Sequence, residues 1–307
     1  MKVLLVFPQQ DRQTGLFIHR AFKQLGCQVE LVDAKLEPHN MLPKTKSFNP
    51  NLIFCSRTIE LLDQMKEIRK SFPNIITICW NVDKRNSVKE FGDKLLNLFD
   101  SCHIFYTIAL GNIEEYRKMC PNTKVMHLQQ GCDPQTHKIE KLTTADHTAY
   151  DCEAMFAGWI SKRTGRPPLF QYLSEHTNLK LYGKETKNLI TDSAHNKACL
   201  CSNIVLGHNS WPSVAISMSV RDYKVMAAGG FLLTEYCPGM ETWFKLGEEC
   251  ESYTTKEEAL DKIKYYLSNE DKRKKMAESG YTAAHAKHKY ADRIKQVLED
   301  IRGYKCI

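Results

Sequence analysis

Arg221, Tyr223 and Lys224 cluster in the segment SVRDYKVMAAGGFLLTEY, and a carboxylate, Glu235, closes the same segment. Between them the chain reads as a helix, a turn at Gly229 and Gly230 where a side chain would clash, and a short buried strand from Phe231 to Thr234. The chemistry this suggests is grip on a diphosphate. Cations at Arg221 and Lys224 can neutralise phosphate oxygens, and Glu235, at a strand's carboxyl end, can accept hydrogen bonds from two ribose hydroxyls. The plainer alternative is a helix packed tightly on a strand, with glycines allowing close approach.

Three other positions follow strands, where a parallel sheet gathers its ligands. After KVLLVF, Thr14 and Gly15 open a helix whose free N–H groups could face an anion or sugar. His19, one turn further, is a catalytic candidate there or a polar surface residue. After NIITIC come Trp80, Asn81 and Asp83: an aromatic for sugar stacking, a polar neighbour, and a carboxylate for general base work. The same residues also fit a core tryptophan and a helix-capping aspartate. After AMFAGW, Lys162 and Arg163 could reach a diphosphate, or could be solvated loop charges.

Positioning such groups requires strands and helices in alternation, and the chain supplies them. KVLLVF, CQVELVDA, PNLIFCS, NIITICWNV and HIFYTIA are strand-like, separated by amphipathic stretches such as LFIHRAFKQL, which Gly26 stops. Parallel neighbours need crossover helices, so this grammar predicts a doubly wound parallel sheet. KVMHLQQGCDP ends the first series, the polar stretch Asp146–Tyr150 reads as a linker, and a second series starts at Cys152. At 307 residues the chain is long enough for two cores. The expected domains are 1–140 and 151–307, with the last helix free to cross back to the amino-terminal domain.

Composition narrows the class. Hydrophobic residues at 42% and charged residues at 26% are those of a globular protein, and no apolar run reaches the roughly 20 residues of a membrane span. MKVLLVF is too short for a signal peptide's apolar core, so it reads as a first strand. The net charge of +7 suits a phosphorylated ligand without demanding a polymer, and the run EDKRKKM is flanked by acids as on a solvated helix face. The twelve cysteines contain no CxxC pair, and several lie in apolar runs, so reduced structural thiols in a cytoplasmic protein are expected.

The pattern R-x-Y-x-x-x-A-x-G-G-F-L-L-T-E from Arg221, then Phe244, Gly247 and Glu248, then Tyr253 through Arg273, resembles the carboxy-terminal domain of the CgeB-like glycosyltransferases, named for a spore-maturation protein. HAKHKYADRI, from His285, is similar to that family's closing segment, and HLQQGCDPQTH to the strand and loop before its linker. The resemblance implies a GT-B fold, two Rossmann-like domains facing across a cleft. It also implies transfer of a sugar from a nucleoside-diphosphate sugar, UDP-linked for instance, to an unidentified acceptor: a glycan, protein or small molecule. Under it, Arg221, Lys224, Arg163, Gly229 and Gly230 hold the donor diphosphate. Glu235, Tyr223, Gly183 and Lys184 hold the nucleoside, and Gly131 and Asp133 face the acceptor or sugar, where the strand-end readings above also put Gly15, Trp80 and Asn81. Asp83 and His19 are the catalytic candidates. Many retaining GT-B enzymes carry a glutamate pair where this chain has Lys224 and Ile216. Glu235 is the substitute, and Lys224 a phosphate partner. No DxD-like pair stands out to hold magnesium, so neither metal nor cofactor is expected, and no stable nucleic-acid partner. A sugar-nucleotide-binding protein without transfer activity is the alternative reading.

Overall fold

The computed structural model describes residues 1–9, 14–161 and 165–302. The chain divides into two compact units. Unit 1 comprises Met1–Gln130, Val214–Ser217 and the carboxy-terminal segment from Tyr290; unit 2 comprises Gly131–Ser213 and Met218–Lys289.

In unit 1, strands β1 (Lys2–Phe7), β2 (Gln28–Asp33), β3 (Leu52–Ser56), β4 (Ile76–Asn81), β5 (Ile104–Thr107) and β6 (Lys124–His127) form one sheet, with helices α1 (Thr14–Gln24), α2 (Met41–Phe48), α3 (Leu62–Ser71), α4 (Asp93–Asp100) and α5 (Ile113–Met119) between them. The order is β2-β1-β3-β4-β5-β6, every pairing parallel. Alternation along the strands feeds two cores. Leu4, Val6, Ile53, Cys55, Cys79 and Phe105 point to the face covered by α2 through α5. Leu5, Phe54, Ile78, Trp80 and Tyr106 point to the other. Burial on both faces is why these strands read as continuous apolar runs. Gly26 ends α1's segment at φ +76°, a left-handed turn that glycine adopts without strain.

In unit 2, helix α6 (Thr144–Tyr150) leads into β7 (Cys152–Ala157), α7 (Arg166–Ser174), β8 (Leu179–Tyr182), α8 (Ser193–Cys201), β9 (Ser202–Leu206), α9 (Val220–Ala227), β10 (Leu232–Glu235), β11 (Glu251–Tyr253), α10 (Lys256–Leu267) and α11 (Glu270–Lys287). The sheet runs β11-β10-β9-β7-β8, again all parallel. The stretch read as a linker is helix instead. Thr143 and Asp146 form a capping box that starts α6, and both carboxylate oxygens of Asp146 accept hydrogen bonds from Lys197 Nζ at 3.1 Å, tying α6 to α8.

The final helix, α12 (Tyr290–Arg302), belongs to unit 1. Its Tyr290 ring lies 5.6 Å from Phe17 and 6.3 Å from Trp80, and Asp300 accepts a 2.6 Å hydrogen bond from the Tyr106 hydroxyl. The basic run EDKRKKM opens α11, where Arg273 is buried and donates to the carbonyl of Tyr266 and to Asn203. Among the described residues, no helix is long and apolar enough to cross a membrane. The eleven cysteines there are all free, and all but Cys201 are buried.

Candidate functional site

The sheet of unit 2 starts at an interior strand, β7, next to the edge strand β8. From β7 the chain goes to β8 on one side and then to β9, β10 and β11 on the other, so the strand order reverses between β7 and β9. A crevice opens at such a switch point, beyond the carboxyl ends of the strands. Arg221 lies at the carboxyl end of β7. The residue lies in the first turn of α9, whose start is fixed by a capping box: Ser219 Oγ accepts from the Arg221 backbone N–H, and Asp222 accepts from the Ser219 N–H. Its Nε donates to the carbonyl of Ala157, the last residue of β7, at 2.7 Å.

A second arginine shares this place. Arg166, at the start of α7, donates to the carbonyls of Trp159 and His208. The guanidinium carbons of Arg221 and Arg166 lie 4.3 and 5.1 Å from the centre of one ring, Phe156. Burial, and then the charge of Arg166, push Arg221 down to about 9. Gly158 leaves room for the Arg221 side chain, since a β-carbon there would collide with it; a β-carbon on Gly183 would collide with the Gly158 carbonyl.

One turn along α9, Lys224 is half-buried and pushed down to about 8, by burial first, with Asp192 opposing and Arg221 adding to the fall. His195, in α8, is held neutral, pushed down to about 3 by burial and by these two cations. On the other side of the switch point, Glu235 ends β10. Its Oε2 accepts from the Asn209 backbone N–H at 2.9 Å and lies 3.3 Å from His208 Nδ1. Asn209 is the brace: it donates to the Glu235 carbonyl at 2.7 Å and accepts from the Ser219 N–H at 3.2 Å, so the strand carrying Glu235 and the helix carrying Arg221 are joined through one buried amide. Arg221 in the first turn of α9, Arg166 beside it and Lys224 one turn further along the helix are the groups here that could hold an anion with more than one charge.

Other expected residues lie elsewhere. Gly229 and Gly230 follow the far end of α9, before β10 begins, so they sit at the amino edge of the sheet, roughly 12 Å of helix away from Arg221. A β-carbon at Gly229 would meet Ile139 and Leu200, and one at Gly230 would meet Cys199. Tight helix-on-strand packing accounts for them, and the diphosphate does not. Tyr223 is buried against Phe244 and His288, out of a nucleoside's reach. Lys184 is exposed just beyond β8.

Asp133 is buried in unit 2 and organises its own turn: its N–H donates to His137 Nδ1, and its carboxylate accepts from Thr136. Gly131 is buried beside Cys132, whose N–H donates to the His288 carbonyl. Trp80 has no face to offer a sugar, because it is wholly enclosed between Phe54 and Tyr290, with Nε1 donating to the Leu128 carbonyl. Asn81 is equally buried, donating to the Tyr116 hydroxyl and accepting from the Asp83 N–H. Asp83 is partly exposed and paired with Arg57. His19 lies on the half-buried side of α1, lowered by burial and by Lys23 and Arg20. Gly15 packs so closely on the Pro8 carbonyl that a β-carbon would collide. Arg163 lies outside the described residues.

Arg166, His208 and Asn209 were not singled out from the sequence. Arg166 carries a readable sign, an arginine before Pro167 and Pro168 at a helix start, and Gly207-His208-Asn209 directly follows a buried strand.

Residues 163–299 match the family model described as glycosyl transferase-like. No curated protein matches the chain. Solved structures similar over nearly the whole chain include HepE of Anabaena in complex with UDP-glucose, 13% identical over 98% of this chain and 99% of that one, with a TM-score of 0.69. Sucrose-phosphate synthase of Thermosynechococcus elongatus is 11% identical over 99% and 100%, with a TM-score of 0.71. An alpha-glucosyltransferase in complex with UDP and a 13-mer DNA is 10% identical over 98% and 99%, with a TM-score of 0.73. The fold is that of these GT-B glycosyltransferases.

Proposed function

We propose that the protein is a glycosyltransferase of the CgeB-like type that moves a hexose from a UDP-sugar to an acceptor, using unit 2 to hold the donor. The observation that carries this reading is the pair Arg221 and Arg166 on one aromatic ring at the switch point. Like charges brought together out of water destabilise one another, and a diphosphate between them relieves the cost. Solved relatives in fold are bound to UDP and UDP-glucose, which supplies the nucleotide. Glu235, on its own side of the crevice, is the ribose acceptor.

When the sugar leaves, negative charge grows on the phosphate oxygen of UDP. Arg221, Arg166, Lys224 and the α9 amino end meet that charge as it develops, which lowers the barrier beyond what ground-state binding gives. With three cations in place, the site works without a dedicated metal. Release of UDP from UDP-glucose, UDP-galactose and related donors tests the reading, followed with and without a chelator. Turnover that survives chelation is expected. Binding without release would assign the chain to the non-transferring alternative, which the lysine at position 224 favours. Release abolished by chelation and restored by magnesium would overturn metal independence.

A further inference from the structure

At the amino edge of the unit 2 sheet, away from the arginine pair, three side chains of different chemistry converge. His147 and Asp151 are four residues apart on and just after α6, so they share a helix face, with His147 Nδ1 2.9 Å from Asp151 Oδ1. Cys201 closes α8 and turns its sulfur to the same spot. One nitrogen, one oxygen and one sulfur from these residues all lie within 4.8 Å of one another.

We propose that His147, Asp151 and Cys201 form a binding site for a divalent cation of the zinc class. Tetrahedral zinc holds nitrogen and oxygen at about 2.0–2.2 Å and thiolate sulfur at about 2.3 Å, which sets ligand atoms roughly 3.4–3.6 Å apart. The three ligand atoms lie within 4.8 Å of one another, and the histidine and aspartate side chains that would adjust to that spacing are half exposed. The mixed donor set selects the ion: a hard cation such as magnesium takes oxygens, whereas imidazole with thiolate suits zinc. Three protein ligands leave one position for water.

The scaffold is already held, because Asp146 of α6 is bonded to Lys197 of α8. Asp151 and Cys201 immediately precede β7 and β9, whereas Arg221 and Glu235 lie at the opposite edge, about 20 Å along a six-residue strand. The ion would therefore staple α6 to α8 and take no part in sugar transfer, so this inference stands apart from the proposed activity.

The full-length protein, stripped with a chelator and titrated with cobalt(II), tests it. One equivalent should bind with a thiolate-to-cobalt charge-transfer absorption, be displaced by one equivalent of zinc, and raise the melting temperature. Cys201→Ser should abolish the absorption, and His147→Ala, on an exposed helix face, should weaken binding at least tenfold. No absorption in the wild-type protein, or an absorption that persists in Cys201→Ser, would overturn the assignment.

Discussion

Lys224 is the side chain that makes the proposed site sensitive to pH. Burial holds it at about 8, below the 10.5 of an exposed lysine. Between those values the unfolded chain binds more protons than the folded one, so Lys224 is destabilising at neutral pH and the penalty is relieved as pH rises through that window. A diphosphate needs the charged form, so the effect on binding has the opposite sign. We expect UDP affinity to fall as pH passes 8, with proton uptake on binding, and Lys224→Met to bind more weakly at pH 7 with a flatter profile. Calorimetric titration in buffers of different ionisation enthalpy checks this; an equal slope in the variant would refute the role of Lys224. Lys224 stands beside Arg221 in the sequence and reads there as a phosphate partner, the role proposed for it. Arg166 was not legible there, because its contribution depends on Phe156 and on the turn of α7, which bring together residues with no shared spacing.

Helix α9 shows what an element adds to its residues. Arg221 and the two glycines are neighbours in sequence and read as one phosphate-binding layout, yet a helix of eight residues delivers its two ends to opposite edges of the sheet. The glycines serve packing. Gly229 has φ +82°, and a methyl group there would press on Ile139 at 3.0 Å and on Leu200 at 3.2 Å. Gly229→Ala should therefore cost about 1–2 kcal/mol in denaturant titration and leave UDP affinity within twofold of wild type. A tenfold loss of affinity in a folded Gly229→Ala protein would return the glycines to the site. Most strands were readable, because burial on both faces writes itself as apolar runs; β11, the three residues Glu251–Tyr253, carries no such run and was not. Facing was not readable: Trp80 lies near a strand's carboxyl end, as a sugar-stacking residue would, but pleating turns it into the core.

At the scale of the molecule, two parallel-sheet units account for the alternation along the chain, and α12 completes unit 1 although it is the last helix described. Tyr290 is the anchor, buried against Phe17 and Trp80. Tyr290→Ala should destabilise the protein by about 3–5 kcal/mol, the cost of emptying a buried aromatic site, and a loss under 1 kcal/mol in chemical denaturation would show that α12 is not integral to that core. The role of unit 2 is tested most directly by calorimetric titration of UDP-glucose into the wild-type protein and into Arg221→Ala. Loss of charge-assisted hydrogen bonds worth about 1.5–3 kcal/mol predicts affinity roughly 10- to 100-fold weaker in the variant. Equal affinity in the two proteins, or no binding to the wild type by any nucleoside-diphosphate sugar, would contradict the donor site described for unit 2.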